Sequence, residues 1–242
     1  METTGAIAHD RSADACCADM AERVPARAAL LAGVFDKAGT LIRLARHQQL
    51  AMASSMDPCS YLVRSGCVAL ETSAPARHIL GFLHGGDLLE QDQVPALPHL
   101  VLRAIEAAEL WRVRQTPSKP LFSDPPDVRA AHSNAVAELL KRLMIANAML
   151  GRLSGEARVA SFLLLAAARF GRNAGNRVSM HMPMSRADLA DHLGLNPDTL
   201  SRIVTSLKEA ELIESHGRHG LTIRDVSRLQ AHTPIAAALL QG

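Results

Sequence analysis

Residues 184 to 213, MSRADLADHLGLNPDTLSRIVTSLKEAELI, constrain the fold more than any other stretch of the chain. They read as two short helices joined by a tight turn. Ser185 is an N-cap candidate with Asp188 three residues on. Ala187, Leu189, Ala190 and Leu193 give the first helix a small apolar face, and Gly194 ends it where a C-terminal glycine is favoured. Asn196 caps a second helix that has Pro197 at its first position. Leu200, Ile203, Val204 and Leu207 recur at helical spacing as its buried stripe. The opposite face carries Asp198, Thr199, Ser201, Arg202, Thr205 and Ser206, short polar groups with one long donor, which suits the reading of base edges. The following KEAELIESHGRHGLTIRD predicts a two-stranded wing. Leu212 and Ile213 begin a strand, Ser215 to Gly220 turns, and Leu221 to Ile223 returns. The competing reading is a helical hairpin buried in a core. The hydrogen-bonding groups at the N-terminal end of the second helix, and the wing, favour a winged helix-turn-helix whose second helix enters the DNA major groove.

Composition adds bounds. At 242 residues with net charge +2, the chain is long enough for two compact domains and has no dominating basic tail. Residues 152 to 242 hold 11 Lys+Arg against 8 Asp+Glu, and the rest hold 15 against 16. A mildly basic C-terminal part fits a nucleic-acid partner. The longest apolar run, Val159 to Ala168 around Ser161, suits a buried helix and is too short to span a bilayer. The first residues carry early acids and no apolar h-region, so neither a secretory signal nor a membrane association is expected, and the location expected is cytoplasmic.

Ahead of the helix-turn-helix the pattern changes twice. Residues 1–25 are polar, alanine-rich and weakly patterned, which predicts a flexible arm. A short helix is expected over Ala26 to Phe35. From Gly39 to about Val113 the chain reads as short strands: Thr40 to Leu44, two around Ser65-Gly66, Arg77 to Leu83, His99 to Ala104 and Glu109 to Val113. His84 to Asp87 reads as a turn. Many short strands with turn signals between them predict a β-roll or barrel. Pro117, Pro120, Pro125 and Pro126 punctuate a linker before a long helix over Val128 to Leu150. Val136, Leu140, Leu143, Asn147 and Leu150 follow a four-three-four-three spacing, the seam of a coiled coil that pairs two copies. Leu139, Met144 and Ile145 lie off that seam, facing the roll. A second apolar helix is expected over Ser154 to Phe170, then a loop, GRNAGN. The expected class is therefore α+β, divided into an arm (1–25), a β-roll sensor domain (26–127), a dimerisation helix (128–152) and a winged helix-turn-helix domain (153–242).

That order of parts resembles the CRP/FNR family of bacterial transcription regulators over roughly residues 39 to 230. The motifs are YLVRSGCVAL, ILGFLHGGDLL, LSGEARVASFLL and LADHLGLNPDTLSRIVTSLKEAELI. The last is similar to the FNR/FixK branch, whose recognition helix begins Glu-Thr-x-Ser-Arg. Here the matching run is Asp198-Thr199-Leu200-Ser201-Arg202. The resemblance implies a homodimer that reads a palindromic, TTGAT-type operator in double-stranded DNA, in oxygen- or redox-linked control. It implies RNA polymerase as a partner of an activator. Carried over by position, Asp198 accepts from a base amino group, Ser201 sits against the bases, and Arg202 donates to guanine or a phosphate. Asp198 is one methylene shorter than the branch's Glu, which puts that contact and the base preference in doubt. Ser185, Arg186, Arg218 and His219 are candidates for backbone contact.

No cofactor is expected from the sensor region. Cyclic-AMP-binding relatives carry a Gly-Glu turn and then an Arg-Ser pair. Gly86-Asp87 is followed by LLEQDQVPALPHL with no Arg-Ser, and an acid near a phosphate without an arginine is electrostatically wrong. An iron–sulfur cluster is an alternative, since there are four cysteines, Cys16, Cys17, Cys59 and Cys67. The first two are adjacent, which a cluster rarely accommodates. The reading preferred is small apolar core residues plus an exposed arm pair, with a thiol switch at Cys16 and Cys17 as the alternative ahead of a cluster. Haem is another alternative, through His47, His78, His84 or His99. An enzyme built on the roll is not expected. No His-x-His metal pattern, nucleophile elbow or phosphate loop is present.

Overall fold

The computed structural model describes residues 26–52, 58–73, 76–93, 99–115 and 125–233. The arm with Cys16 and Cys17 lies outside the described residues.

The N-terminal unit opens with α1 (Ala26–Ala38) and continues as β1 (Thr40–Leu44), β2 (Gln49–Ala51), β3 (Cys59–Ser65), β4 (Cys67–Thr72), β5 (His78–His84), β6 (Leu88–Glu90), β7 (Leu100–Ala104) and β8 (Ala108–Arg114). The strands form two antiparallel four-stranded sheets in the orders β1-β8-β3-β6 and β2-β7-β4-β5. Gly66 makes the turn that carries β3 of one sheet into β4 of the other. Its φ is +81°, and a Cβ there would lie 2.3 Å from the Ala107 carbonyl oxygen, so only glycine fits. Alternation along β3 and β4 drives Tyr61, Val63, Val68 and Leu70 into one core with Leu83, Leu102 and Leu110 of the facing strands. The roll expected from strand spacing is thus present. The sequence reading missed β2 and β6, which are three residues each and too short to show alternation.

Helix α2 (Pro126–Arg152) begins with proline at its first position and runs for 27 residues. Its Val128 and Ala131 pack with Leu31 and Phe35 of α1, and Leu139 closes the core of the roll. The seam predicted from heptads needs correction. Val136 packs partly against the α1 cluster, and Leu143 packs partly on the roll. Leu150 reaches the helix-turn-helix, where a Cβ on Gly194 would lie 3.0 Å from its Cδ2. Leu140 and Asn147 face outward as expected. Met144, expected against the roll, is 64% exposed beside Leu140 at 56%. The outward stripe is therefore Ala137, Leu140, Met144 and Ala148 with Asn147. Apolar residues fall on two adjacent stripes of this helix, so heptad counting alone cannot say which of them the roll takes.

The C-terminal unit comprises α3 (Gly155–Phe170), β9 (Arg172–Ala174), β10 (Arg177–His181), α4 (Arg186–His192), α5 (Pro197–Glu209), β11 (Ile213–His216), β12 (Gly220–Ile223) and α6 (Val226–Gln230). GRNAGN is not a plain loop. It forms β9 and the turn of an antiparallel hairpin with β10, and this hairpin extends the wing to a four-stranded sheet, β11-β12-β10-β9. All three residues of β9 are exposed, so it leaves no hydrophobic signature. Leu163 and Leu164 of α3 meet Leu189, Leu200, Leu207 and Ile223 in a separate core. Among the described residues no helix is long and apolar enough to cross a membrane.

Candidate nucleic-acid interface

The local caps predicted from sequence set the two helices. The Ser185 hydroxyl accepts from the Asp188 amide at 3.1 Å, and the Asp188 carboxylate accepts from the Ser185 amide at 3.2 Å, a reciprocal capping box. The Ser185 hydroxyl also donates to Asp188 Oδ2 at 2.6 Å. Its hydroxyl is thus engaged in the cap, which weakens its candidacy as a backbone contact. Gly194 takes φ +59° in the turn. The Asn196 side chain accepts from the Asp198 amide at 2.8 Å and starts α5. Sequence reading missed what holds the turn: Arg158 of α3, whose Nη1 donates to the Leu193 carbonyl at 2.8 Å and whose Nε donates to the Leu153 carbonyl at 3.0 Å.

Helix α5 buries Leu200, Val204 and Leu207, with Ile203 packed against the same core. Burial of each such side chain contributes about 1.5–3 kcal/mol. The register this imposes turns Asp198, Thr199, Ser201, Arg202, Thr205 and Ser206 to solvent on one face. No described protein group occupies the side chains of Asp198, Ser201 or Arg202. The Thr205 hydroxyl donates back to the Ser201 carbonyl at 3.0 Å. Arg186 is exposed at the start of α4, and Arg218 is exposed at the tip of the wing. His219 is half-buried, and its Nδ1 donates to the Met182 carbonyl at 3.1 Å, leaving one ring edge for a partner.

Helix α4 docks on the roll through its other side. Asp188 accepts from Arg103 Nη2 at 2.7 Å and from Arg77 Nη2 at 2.8 Å, and Asp191 accepts from Arg77 Nε at 2.8 Å. Arg103 also holds Glu71, with Nε 2.9 Å from Oε1. Burial pushes the Asp188 carboxyl up, but the Ser185 hydroxyl and the Arg103 guanidinium outweigh it and hold the acid below its ordinary range. His192 Nδ1 donates to the Ile79 carbonyl at 3.0 Å, and its ring stacks edge-on with Phe82 and Phe162.

Sensor-side candidates are scattered. Cys59 is half-buried and Cys67 is fully buried, and burial pushes the Cys67 thiol well above its usual range. Cys67 Sγ lies 3.7 Å from His84 Nε2. His47 and His99 sit on surface turns, and His78 lies 3.4 Å from Asp191. Among the described residues no three His, Cys, Asp or Glu side chains converge as metal ligands. The statement that Asp87 lacks an arginine is overturned. Arg142 of α2 and Arg169 of α3 both reach its carboxylate.

A Crp-like helix-turn-helix domain model matches residues 157–232. The nitrogen fixation regulation protein FixK of Bradyrhizobium diazoefficiens is 27% identical over 222 residues, covering 89% of this chain and 92% of that one. The fumarate and nitrate reduction regulatory protein of Vibrio cholerae is 24% identical over 179 residues, covering 71% and 70%. FixK2 of Bradyrhizobium japonicum shares the fold with a TM-score of 0.66 at 24% identity, over 81% of this chain and 97% of that one. A CooA mutant of Carboxydothermus hydrogenoformans superposes with a TM-score of 0.70 at 19% identity, over 82% and 89%. A β-roll, a long helix and a winged helix-turn-helix define the class: a DNA-binding transcription regulator. The chain is similar to regulators of the CRP/FNR family, near its FNR/FixK branch.

Proposed function

We propose that the protein is a cytoplasmic homodimer that reads a palindromic, TTGAT-type operator in oxygen- or redox-linked gene control, meeting RNA polymerase where it activates. The observation that carries this reading is the solvent face of α5. Asp198, Ser201 and Arg202 stand there at the spacing of the branch's recognition helix, on a scaffold rigidified by two caps and by Arg158. The dimer part rests on the outward stripe of Leu140 and Met144, two large apolar side chains on a long helix that stand exposed among the described residues. Pairing through it makes the protein two-fold, and the operator then shares that symmetry, with half-sites about 34 Å apart.

The test is a competition titration of the full chain against a TTGAT palindrome and a scrambled duplex at one salt concentration. A preference above about 10³ for the palindrome is expected. Equal affinity for the two would overturn the reading and leave only non-specific phosphate attraction.

A further inference from the structure

The core of the β-roll is closed to solvent. Val63, Val68, Leu70, Leu83, Leu102 and Leu110 meet there, each at most 1% exposed. Open space lies at the edge of that core, behind Leu70 and Leu83, where β5 and the turn after it meet α2, α3 and β10. The cavity there measures about 630 Å³, within the usual range for small-molecule sites. Most of its wall is apolar, including Leu143, Phe162, Leu165 and Met182.

One end is charged. Asp87 accepts from the His84 amide at 2.8 Å, from Arg142 Nη1 at 3.1 Å and Nη2 at 3.0 Å, and from Arg169 Nη2. Its two oxygens are saturated by these donors. Two guanidinium groups share one carboxylate, so Asp87 by itself does not balance Arg142 and Arg169; Glu138 and Lys141 also line the cavity, and both arginines keep partial access to water. Buried His84 also lines this end, and its Nδ1 has no partner among the described residues, nor does Arg142 Nε. A charge and orphaned polar atoms in such a place are costly unless something answers them.

We infer that this cavity binds a small amphipathic anion, an apolar body bearing one carboxylate-like group, with its charge on Arg142 and Arg169. A negative charge answers the excess of guanidinium over carboxylate at Asp87, and guanidinium groups suit an oxyanion through directed hydrogen bonds. The walls belong to both units: β5 and α2 on one side, α3 and β10 on the other. Occupancy therefore bears on how the DNA-binding unit sits against the roll. That consequence rests on the regulator reading, whereas the site itself does not.

The test titrates the full chain with anilinonaphthalene sulfonate, an apolar ring system with one anionic group, and with uncharged phenylnaphthylamine, the same rings without it. The expected result is one saturable site per chain and at least about tenfold tighter binding of the sulfonate, the scale of a lost charge-assisted hydrogen bond. Arg169→Gln is expected to erase the preference while leaving phenylnaphthylamine bound. Ala146→Phe, which fills the cavity from α2, is expected to weaken both probes. No saturable site, equal affinity for the two probes, or a preference unchanged in Arg169→Gln would each overturn the proposal, and Arg169→Gln decides it alone if Ala146→Phe does not fold. Operator affinity is read in the same samples. A shift of about fivefold or more at saturating sulfonate is expected, and no shift would overturn the coupling. Operator binding without probe binding removes the cavity and keeps the regulator, and the converse removes the regulator and keeps the cavity.

Discussion

At the scale of single residues, the side chains with most at stake are those left without a partner among the described residues or held out of their ordinary charge state. Arg202 is of the first kind. A good base contact is worth about 1–3 kcal/mol of discrimination, so Arg202→Ala is expected to lower the preference for the palindrome over scrambled DNA by about tenfold or more. If affinity for both duplexes falls equally in the titration, Arg202 contacts a phosphate instead. His84 is of the second kind. Burial and the neighbouring Arg169 pull it from 6.5 down to about 3, and burial also lowers His192. A histidine depressed in the folded state binds its proton more readily when unfolded. Its contribution is present in full above pH 6.5 and is lost as pH falls below that value toward its folded pKa. Each such group adds at most about 1.4 kcal/mol per pH unit to the slope of stability. Urea midpoints of His84→Asn between pH 7 and pH 4 are expected to show a shallower decline than those of the parent. An unchanged slope would mean that His84 is protonated in the folded protein.

At the scale of elements, α2 has two apolar sides, one taken by the roll and the other left bare. Leu140→Glu with Met144→Glu places charges on the bare stripe only, so the fold is expected to survive while the dimer dissociates. Light scattering would then report a single chain, and operator affinity would drop with it. A mass still that of a dimer would move the interface elsewhere. Shortening a cap gives a smaller effect: Asn196→Ala is expected to cost about 1 kcal/mol in urea unfolding, since it frees the Asp198 amide at the start of α5. Caps of this kind were legible in the sequence because their partners lie two or three residues apart. The α5 register was legible as well, because Leu200, Val204 and Leu207 all need the same burial. The stripe on α2 was displaced by one position because Leu139, Leu140, Leu143 and Met144 are equivalent to a heptad count. What separates them is the packing of Leu143 over Gly81, where a Cβ would lie 3.5 Å from its Cδ2. The hairpin of β9 and β10 was hidden for the opposite reason, since an all-exposed strand carries no apolar period at all.

At the scale of the whole molecule, the two units are joined by charges that no local pattern connects. Arg103 and Asp188 are 85 positions apart, and Arg77 and Asp191 are 114 apart. Their burial separates their roles. Arg103, Glu71 and Asp188 are all nearly buried, whereas the Arg77 side chain is 43% exposed. Removing Arg103 leaves the buried Glu71 and Asp188 with the half-exposed Arg77 as their cation, at 3.7 Å and 2.8 Å, so Arg103→Gln is expected to destabilise by about 1–3 kcal/mol, less than a fully stranded charge would. Arg77→Gln breaks contacts to Glu71, Asp188 and Asp191 that water screens at the arginine's end, while Arg103 still holds Glu71 and Asp188, and is expected to cost about 1 kcal/mol. The larger loss falls on the joint between the units, because Glu71 and Arg103 lie on the roll and Asp188 lies on the first helix of the helix-turn-helix. Arg103→Gln is therefore expected to split unfolding into two transitions, with fluorescence of Trp111 in β8 following the roll and circular dichroism following both units. Asp188→Asn in the same background removes one of the two buried carboxylates then left to Arg77 and is expected to restore part of the loss, a coupling that independent sites would not show. A single coincident transition in Arg103→Gln, or strictly additive losses in the double variant, would mean that the hydrophobic contacts of Phe82, Phe162 and His192 hold the two units together without the ions.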